Sequence, residues 1–264
     1  MTSPKTILIT GATDGIGLEA TKLLSQAGHR VLMHGRNAAK LAEAATAAGG
    51  AAGTVQADLS RMDEVAAMAD EVAARQDRLD VLINNAGMLK TPQTVTDDGL
   101  DIRFAVNTLA PYLLTRRLLP LMGIDGRVIN VSSAAQAPVD PAALAGQKTG
   151  LADMAAYSQS KLAITAWSFH MARELGTGGP AIIAVNPGSL LASKMVKEGF
   201  GIAGNDLAIG AKILVRAALD PDFANATGKY FDNDAGRFGP PHAHAHNPDK
   251  AAAIVKAIED RLSA

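Results

Sequence analysis

Short runs of β-branched and aliphatic residues alternate along this chain with longer stretches in which Ala and Leu return every three or four positions. The runs Thr6–Thr10, Arg30–His34, Gly53–Ala57, Val81–Asn84, Arg127–Val131, Ala181–Val185 and Gly228–Phe231 predict strands. Several are apolar at every position, the pattern of a strand covered on both faces. The stretches Ile16–Ala27, Ala38–Ala48, Arg61–Arg75, Leu100–Met122, Ala155–Leu175 and Asp206–Leu219 predict helices, with a last one at Asp249–Leu262 after a loop rich in Gly, Pro and His. Ser60 followed by Asp63 reads as a capping pair at one helix start. Strict β-α alternation implies parallel strands joined by right-handed crossovers. The expected class is therefore α/β, a doubly wound parallel sheet of about seven strands with helices on both faces. No Pro/Ser-rich linker interrupts the rhythm, which predicts one domain over residues 1–264.

Composition narrows the setting. Hydrophobic residues make up 48% of the 264 positions and aromatics only 4%, so a large core is affordable and must be aliphatic. The net charge of −1 comes without blocks of like charge, which argues against nucleic acid or a membrane surface as partner. The longest uncharged stretch, Leu175–Ser193, carries prolines and repeated glycines and is a poor membrane span. The absence of cysteine excludes disulfides and thiolate metal sites and fits a reducing compartment; a cytoplasmic location is expected.

The first chemical signal closes the first strand: Thr10-Gly11-Ala12-Thr13-Asp14-Gly15-Ile16-Gly17. Glycines there allow a tight turn, close approach of a pyrophosphate to the backbone, and close packing of helix on strand. The helix start then offers free N–H groups and a positive dipole end to phosphates. The spacing is G-x-x-x-G-x-G rather than G-x-G-x-x-G, so the Rossmann fingerprint applies here by mechanism. A glycine-rich turn without ligand is the plainer alternative. At the end of the second strand, Gly35 stands where an NAD-selective site would place a carboxylate for the ribose 2′-hydroxyl, and Arg36 follows. Guanidinium matches phosphate in charge and fork geometry, which favours NADP(H) and leaves NAD(H) open; Asp14 pulls the other way.

Tyr157-Ser158-Gln159-Ser160-Lys161 lies on a predicted helix, where residues four apart share a face. A tyrosine with an ordinary pKa near 10 is a poor base at neutral pH, and an adjacent ammonium favours its phenolate. Alone, Y-x-x-x-K also describes a packed tyrosine beside a solvated lysine.

Together these pieces resemble the short-chain dehydrogenase/reductase family, over nearly the whole chain. They come in family order: the turn at 10–17, Asp58-Leu59, Asn84-Asn85-Ala86-Gly87, Asn107, Val131-Ser132-Ser133, Tyr157 with Lys161, and Asn186-Pro187-Gly188. The resemblance implies that Ser133 hydrogen-bonds the substrate oxygen, that Tyr157 exchanges the proton, and that Lys161 binds the nicotinamide ribose and lowers the tyrosine pKa. It places Gly11, Thr13, Asp14, Gly15, Ile16, Gly17, Arg36, Asp58, Leu59, Asn85, Ala86, Gly87, Tyr157, Lys161, Pro187 and Gly188 along the cofactor, with Asp58 at the adenine. It makes Asn107 a fourth catalytic position, whose backbone holds a water in a proton relay.

Asn107 also has a physical reading. Pro111, four residues on, has no N–H, so the carbonyl of residue 107 cannot receive its helical bond and is free for a water. The run from Ser133 to Tyr157 is longer than the usual family pattern, with an insertion-like segment Gln136–Asp153. Similar lengthening marks the retinol-dehydrogenase-like branch, to which the chain looks nearest. Because that segment precedes a helix many relatives use for oligomer contacts, a homodimer or homotetramer stays open. Ser189–Asn205, with Leu190, Leu191, Met195, Val196, Phe200 and Ile202, suits either a mobile lid over an apolar substrate or an amphipathic surface helix. His242, His244 and His246 would share a face in an extended chain, but no acidic partner accompanies them and no metal is assigned.

The expected activity is hydride transfer between NADP(H) and a small apolar carbonyl or alcohol substrate. A cofactor-binding redox sensor or regulator is the alternative. Sensors of this fold commonly lose the tyrosine or lysine, both present here. Gly35 disfavours a methyltransferase, which would need an acid there for its cofactor's ribose.

Overall fold

In the structure, a computed structural model that describes residues 3–50, 53–192, 201 and 203–263, the apolar runs lie side by side in one sheet. Its strands are β1 (Thr6–Ile9), β2 (Arg30–Gly35), β3 (Gly53–Gln56), β4 (Val81–Asn84), β5 (Arg127–Val131), β6 (Ala181–Asn186), β7 (Lys229–Asp232) and β8 (Arg237–Gly239). The order is β3-β2-β1-β4-β5-β6-β7-β8, parallel throughout except that β8 pairs antiparallel with β7. β4, β5 and β6 are buried along their whole length, which is why their sequences show no alternation.

The helices are α1 (Gly15–Gln26), α2 (Ala38–Ala47), α3 (Met62–Arg75), α4 (Ile102–Phe104), α5 (Ala110–Leu118), α6 (Pro141–Leu144), α7 (Asp153–Leu175), α8 (Leu207–Leu219), α9 (Ala243–His246) and α10 (Pro248–Leu262). One core packs Leu24, Leu41 and Leu214 from α1, α2 and α8 onto the sheet; the other packs Met68, Leu114 and Trp167 from α3, α5 and α7, with Ile258 of α10 behind. The order in which strands are added reverses between β1 and β4, the switch point beyond whose carboxyl ends an open α/β sheet makes its crevice.

The doubly wound, mainly parallel sheet is as expected, with eight strands against the predicted number of about seven. The extra one follows a tight reversal at Gly236 (φ +67°) and is held by Phe238, whose ring centroid lies 5.0 Å from those of Phe223 and Phe231. Ser60 and Asp63 do not cap α3, because the helix begins at Met62 and the Ser60 N–H and hydroxyl both bind Asp58 Oδ1, at 2.9 and 2.7 Å. Nor is Leu100–Met122 one helix. After α4 the chain makes a π-helical turn, Ala105–Leu109, then α5 and a 3-10 turn, Leu119–Leu121. The Ala110 N–H bonds the Ala105 carbonyl. With that donor taken and Pro111 lacking one, the Val106 carbonyl has no helical partner in either register.

The segment Gln136–Asp153 folds down on α7 through α6. Asp140 caps that turn and gives its own N–H to Gln159 Oε1 at 2.8 Å. Buried Arg103 grips Asp101 through two hydrogen bonds and reaches Asp153 at the start of α7. The three histidines are not extended but fold into α9. His242 caps it and meets the His244 ring edge-on at 5.2 Å, His244 also meets Lys250, and His246 packs edge-on against Phe169 at 5.5 Å. Among the described residues, no group of three His, Cys, Asp or Glu side chains is arranged to hold a metal, and no helix is long and apolar enough to cross a membrane. Most of the proposed lid, residues 193–200 and 202, lies outside the described residues.

Candidate active site

Register brings the motif turns together. Ile9 of β1 pairs with Ile83 of β4, and Val131 of β5 with Val185 of β6. The turns after these four strands therefore leave the sheet at one edge. A cavity of about 1360 Å³ runs along that edge, and every catalytic and cofactor residue that the resemblance implies lines it except Asn107.

At one end the backbone itself sets the shape. Gly11 and Gly15 have φ of +65° and +58°, which a side chain rarely tolerates. A Cβ on Gly17 would come within 2.3 Å of the Gly11 carbonyl oxygen, so helix and strand can approach this closely only through glycine. The Thr10 hydroxyl accepts from the N–H groups of Asn85 and Ala86 at 3.0 and 3.1 Å, and Asn85 Nδ2 returns a bond to the Thr10 carbonyl. The turns after β1 and β4 are thus one unit. Asp14 caps α1 by accepting from the Gly15 N–H at 2.7 Å. Beyond β2, exposed Arg36 lies 4.0 Å from Asp58, with Lys40 and Glu43 nearby on the cavity wall. Gly35 has its own structural reason: a Cβ there would meet Thr13 Cγ2 at 2.4 Å.

The other end is built from side chains, with Lys161 buried and Tyr157 and Ser133 half-buried. Tyr157 and Lys161 sit on α7, with the lysine Nζ 5.7 Å from the tyrosine ring centre. Burial pushes the phenol above its ordinary value, and a hydrogen bond with Ser133 offsets this in part. Lys161 gives a hydrogen bond to the Val131 carbonyl at 2.8 Å, and burial without a carboxylate partner lowers it to about 8. Asn107 stands behind the wall. Its side chain accepts from the Met88 N–H and donates to the Met88 carbonyl and to Ser160 Oγ, at 2.8, 2.9 and 2.9 Å. It ties the loop after β4 to α7, so its side chain is engaged within the protein and does not enter the cavity.

Residues 5–200 match the family model for short chain dehydrogenases. Human retinol dehydrogenase 13 is 30% identical over 251 residues, covering 86% of this chain and 76% of that protein. The chain belongs to the short-chain dehydrogenase/reductase family. Retinol dehydrogenases are among this reductase-family chain's relatives, in keeping with the longer Ser133–Tyr157 segment. A solved protein of uncharacterized function from Mycobacterium paratuberculosis superposes with a TM-score of 0.83 at 28% identity, over 98% of this chain and 93% of that one. A short chain dehydrogenase from Burkholderia cenocepacia, solved in complex with NADP, gives 0.67 at 25% identity over 86% and 95%.

In this member of the family, the residues that hold the turns from behind were not among those expected from the sequence. The Ser133 carbonyl accepts from Gln136 Nε2 at 2.9 Å and from the Tyr230 hydroxyl at 3.1 Å. The Asp234 carboxylate takes the Ser189 N–H and hydroxyl, at 2.8 and 2.6 Å, and Asn186 Nδ2; Asn233 donates to the Pro187 carbonyl. The hairpin β7–β8 thus fastens the Pro187-Gly188 turn. These partners are distant along the chain and carry no local pattern. Around Ser133 and Tyr157 the wall is Met88, Leu89, Ala134, Ala135, Met154 and Leu190, and Leu190 takes a strained φ of +53°.

Proposed function

We propose that this protein is an oxidoreductase that prefers NADP(H) and interconverts an apolar carbonyl compound with its alcohol, Tyr157 being the proton donor and acceptor. The observation that carries the reading is half-buried Tyr157 beside buried Lys161 at one end of a cavity whose other end is a glycine cradle flanked by Arg36.

A nicotinamide dinucleotide suits this cavity because glycine at 11 and 17 lets the turn after β1 pack against Ala86 and the start of α1, where any Cβ would clash, so that the turn's backbone forms the cavity wall. Gly11, Thr13, Gly15, Ile16 and Gly17 would hold the pyrophosphate, with Asp14 at the adenosine ribose. Asp58 and Leu59 would hold the adenine and Arg36 the 2′-phosphate. The backbone of Asn85, Ala86, Gly87, Pro187 and Gly188 would line the nicotinamide half, where Tyr157 and Lys161 meet the ribose. When bound, the cofactor supplies or takes up the hydride. NAD(H) is the weaker candidate, since Gly35 offers no carboxylate to its 2′-hydroxyl.

The chain's own residues manage the proton. Ser133 orients the substrate oxygen towards the phenol. Burial keeps that phenol protonated at neutral pH, which suits it to protonate the oxygen during carbonyl reduction. Lys161 lends positive charge beside it, and the Asn107 carbonyl gives the relay an outlet. The substrate is apolar because the charged residues along the cavity, Asp14, Arg36, Lys40, Glu43 and Asp58, cluster at the adenosine end. Among the described residues, the Met88–Met154–Leu190 end has none but the buried Lys161. With no cysteine in the chain, a reducing compartment such as the cytoplasm is the setting we favour.

A panel of aliphatic and aromatic aldehydes, ketones and alcohols, followed at the NAD(P)H absorbance with both cofactors, tests the reading. The expected result is turnover with a higher kcat/KM for NADP(H). Turnover with NAD(H) alone would remove the cofactor preference, and binding of cofactor without turnover of any substrate would favour a sensor.

A further inference from the structure

His34 is a buried side chain that the chemistry above leaves unused. It is 3% exposed and follows three buried apolar residues of β2. Both ring nitrogens hold backbone groups, one on each side. The Gly11 N–H donates to Nδ1 at 3.2 Å, and Nε2 lies 3.0 Å from the Ala57 carbonyl oxygen. The His34 carbonyl takes the next amide, that of Ala12, at 2.9 Å. One residue therefore holds two successive amides of the glycine-rich turn and, through its far nitrogen, the end of β3.

These partners fix the proton. An amide N–H can only donate, so Nδ1 is bare; a carbonyl can only accept, so Nε2 carries the hydrogen. A ring protonated on both nitrogens would set Nδ1–H against the Gly11 N–H. Burial works in the same direction, holding the imidazole below its ordinary range. The neighbouring charges do not reverse this. Asp58, just past Ala57, raises the ring's pKa less than burial lowers it. Arg36, two residues along β2, lies against Asp58, and the Asp14 carboxylate is turned onto the Gly15 N–H.

We propose that His34 is a positioning residue for the dinucleotide: its neutral ring, protonated on Nε2, sets the spacing between the Gly11 turn and the Ala57–Asp58 turn, across which the adenosine end of the cofactor lies. The inference rests on the cofactor reading given above. It separates affinity from chemistry, because His34 acts on the cradle and stands apart from the Tyr157–Lys161 pair.

Two substitutions test it. His34→Asn keeps an oxygen near the place of Nδ1 and so keeps an acceptor for Gly11; His34→Leu removes it. Titration with NADPH, followed by its fluorescence, should give a Kd about tenfold higher for His34→Leu, the scale of one lost hydrogen bond, and within about threefold of wild type for His34→Asn. At saturating cofactor, kcat should be unchanged in both. Long-range nitrogen–proton NMR on the wild-type protein should find Nε2 protonated and Nδ1 bare from pH 6 to 8. Equal Kd values for the two variants, a loss in kcat rather than in Kd, or a proton on Nδ1 would each overturn the inference and leave the cofactor reading intact. Failure of the wild-type protein to bind NADPH would instead overturn the cofactor reading on which it rests. Should His34→Leu not fold, the spectrum and His34→Asn still decide.

Discussion

The two ends of the cleft are made from different materials. The adenosine end is backbone: positive-φ glycines, a helix start, and a few exposed charges at its rim. The end holding Tyr157 is side chain, with a half-buried phenol and an ammonium taken out of water on a helix whose middle is buried all round. Shape at the first end depends on what is absent, a Cβ at Gly11, Gly17 or Gly35. Reactivity at the second depends on what burial does to ionisation, and the cost of holding Lys161 there falls on the stability of the fold. Recognition and chemistry can therefore be damaged separately, and that separation can be put to the test.

The largest expected effect is at the chemical end. Tyr157→Phe keeps the ring and removes the exchangeable proton, so turnover should fall by about 10²–10⁴-fold with NADP(H) affinity nearly unchanged. A parallel loss of cofactor affinity, read by fluorescence titration, would mean the two ends are not separable. At the other end, Arg36→Ala should lower the preference for NADPH over NADH in kcat/KM by about 10–100-fold, the scale of a lost charge-assisted contact, and leave kcat with saturating NADH alone.

A third measurement weighs Lys161. Its folded-state pKa of about 8 lies below the unfolded value of roughly 10.4, so between those limits the unfolded chain binds more protons and stability from this group rises with pH. From pH 7.5 to 9.5 the wild-type protein should gain about 2 kcal/mol relative to Lys161→Met in denaturant titrations. An equal response in the two proteins would show that the ammonium is not strained by its surroundings. The smallest effect tests the glycine cradle. Gly35→Ala should cost about 1–2 kcal/mol, because the new methyl meets Thr13 Cγ2, and the double change Gly35→Ala with Thr13→Ser should recover most of it. No recovery would place the strain in the backbone instead.

How much of this was legible in the sequence follows the same division. The central strands and most helices could be read because each writes its burial into a continuous local pattern. The glycine turn, the Y-x-x-x-K pair and the turns after β4, β5 and β6 could be read for the same reason. What escaped depends on residues far apart in sequence. Asp234 reaches back to Ser189, Tyr230 to Ser133, and Asn107 to Met88 and Ser160. β8 is three residues long and exists because Phe238 finds Phe223 and Phe231. The break in Leu100–Met122 is an intermediate case. Pro111 signalled an interruption, but a proline near a helix start is also ordinary, and the π-helical turn resolves a competition between donors that no single residue announces.

Buried from Gln159 to Phe169, α7 has no solvent-facing side along the stretch that carries Lys161. Amide protons there can meet water only when a large part of the molecule opens. In deuterium exchange, the turn of helix around Lys161 should therefore be among the last to label, at a rate set by global unfolding, while the outer turns of α2 label early. The lysine's position would then be protected kinetically by the whole fold, and a destabilising substitution far from the cleft would shorten the lifetime of the reactive arrangement without touching it.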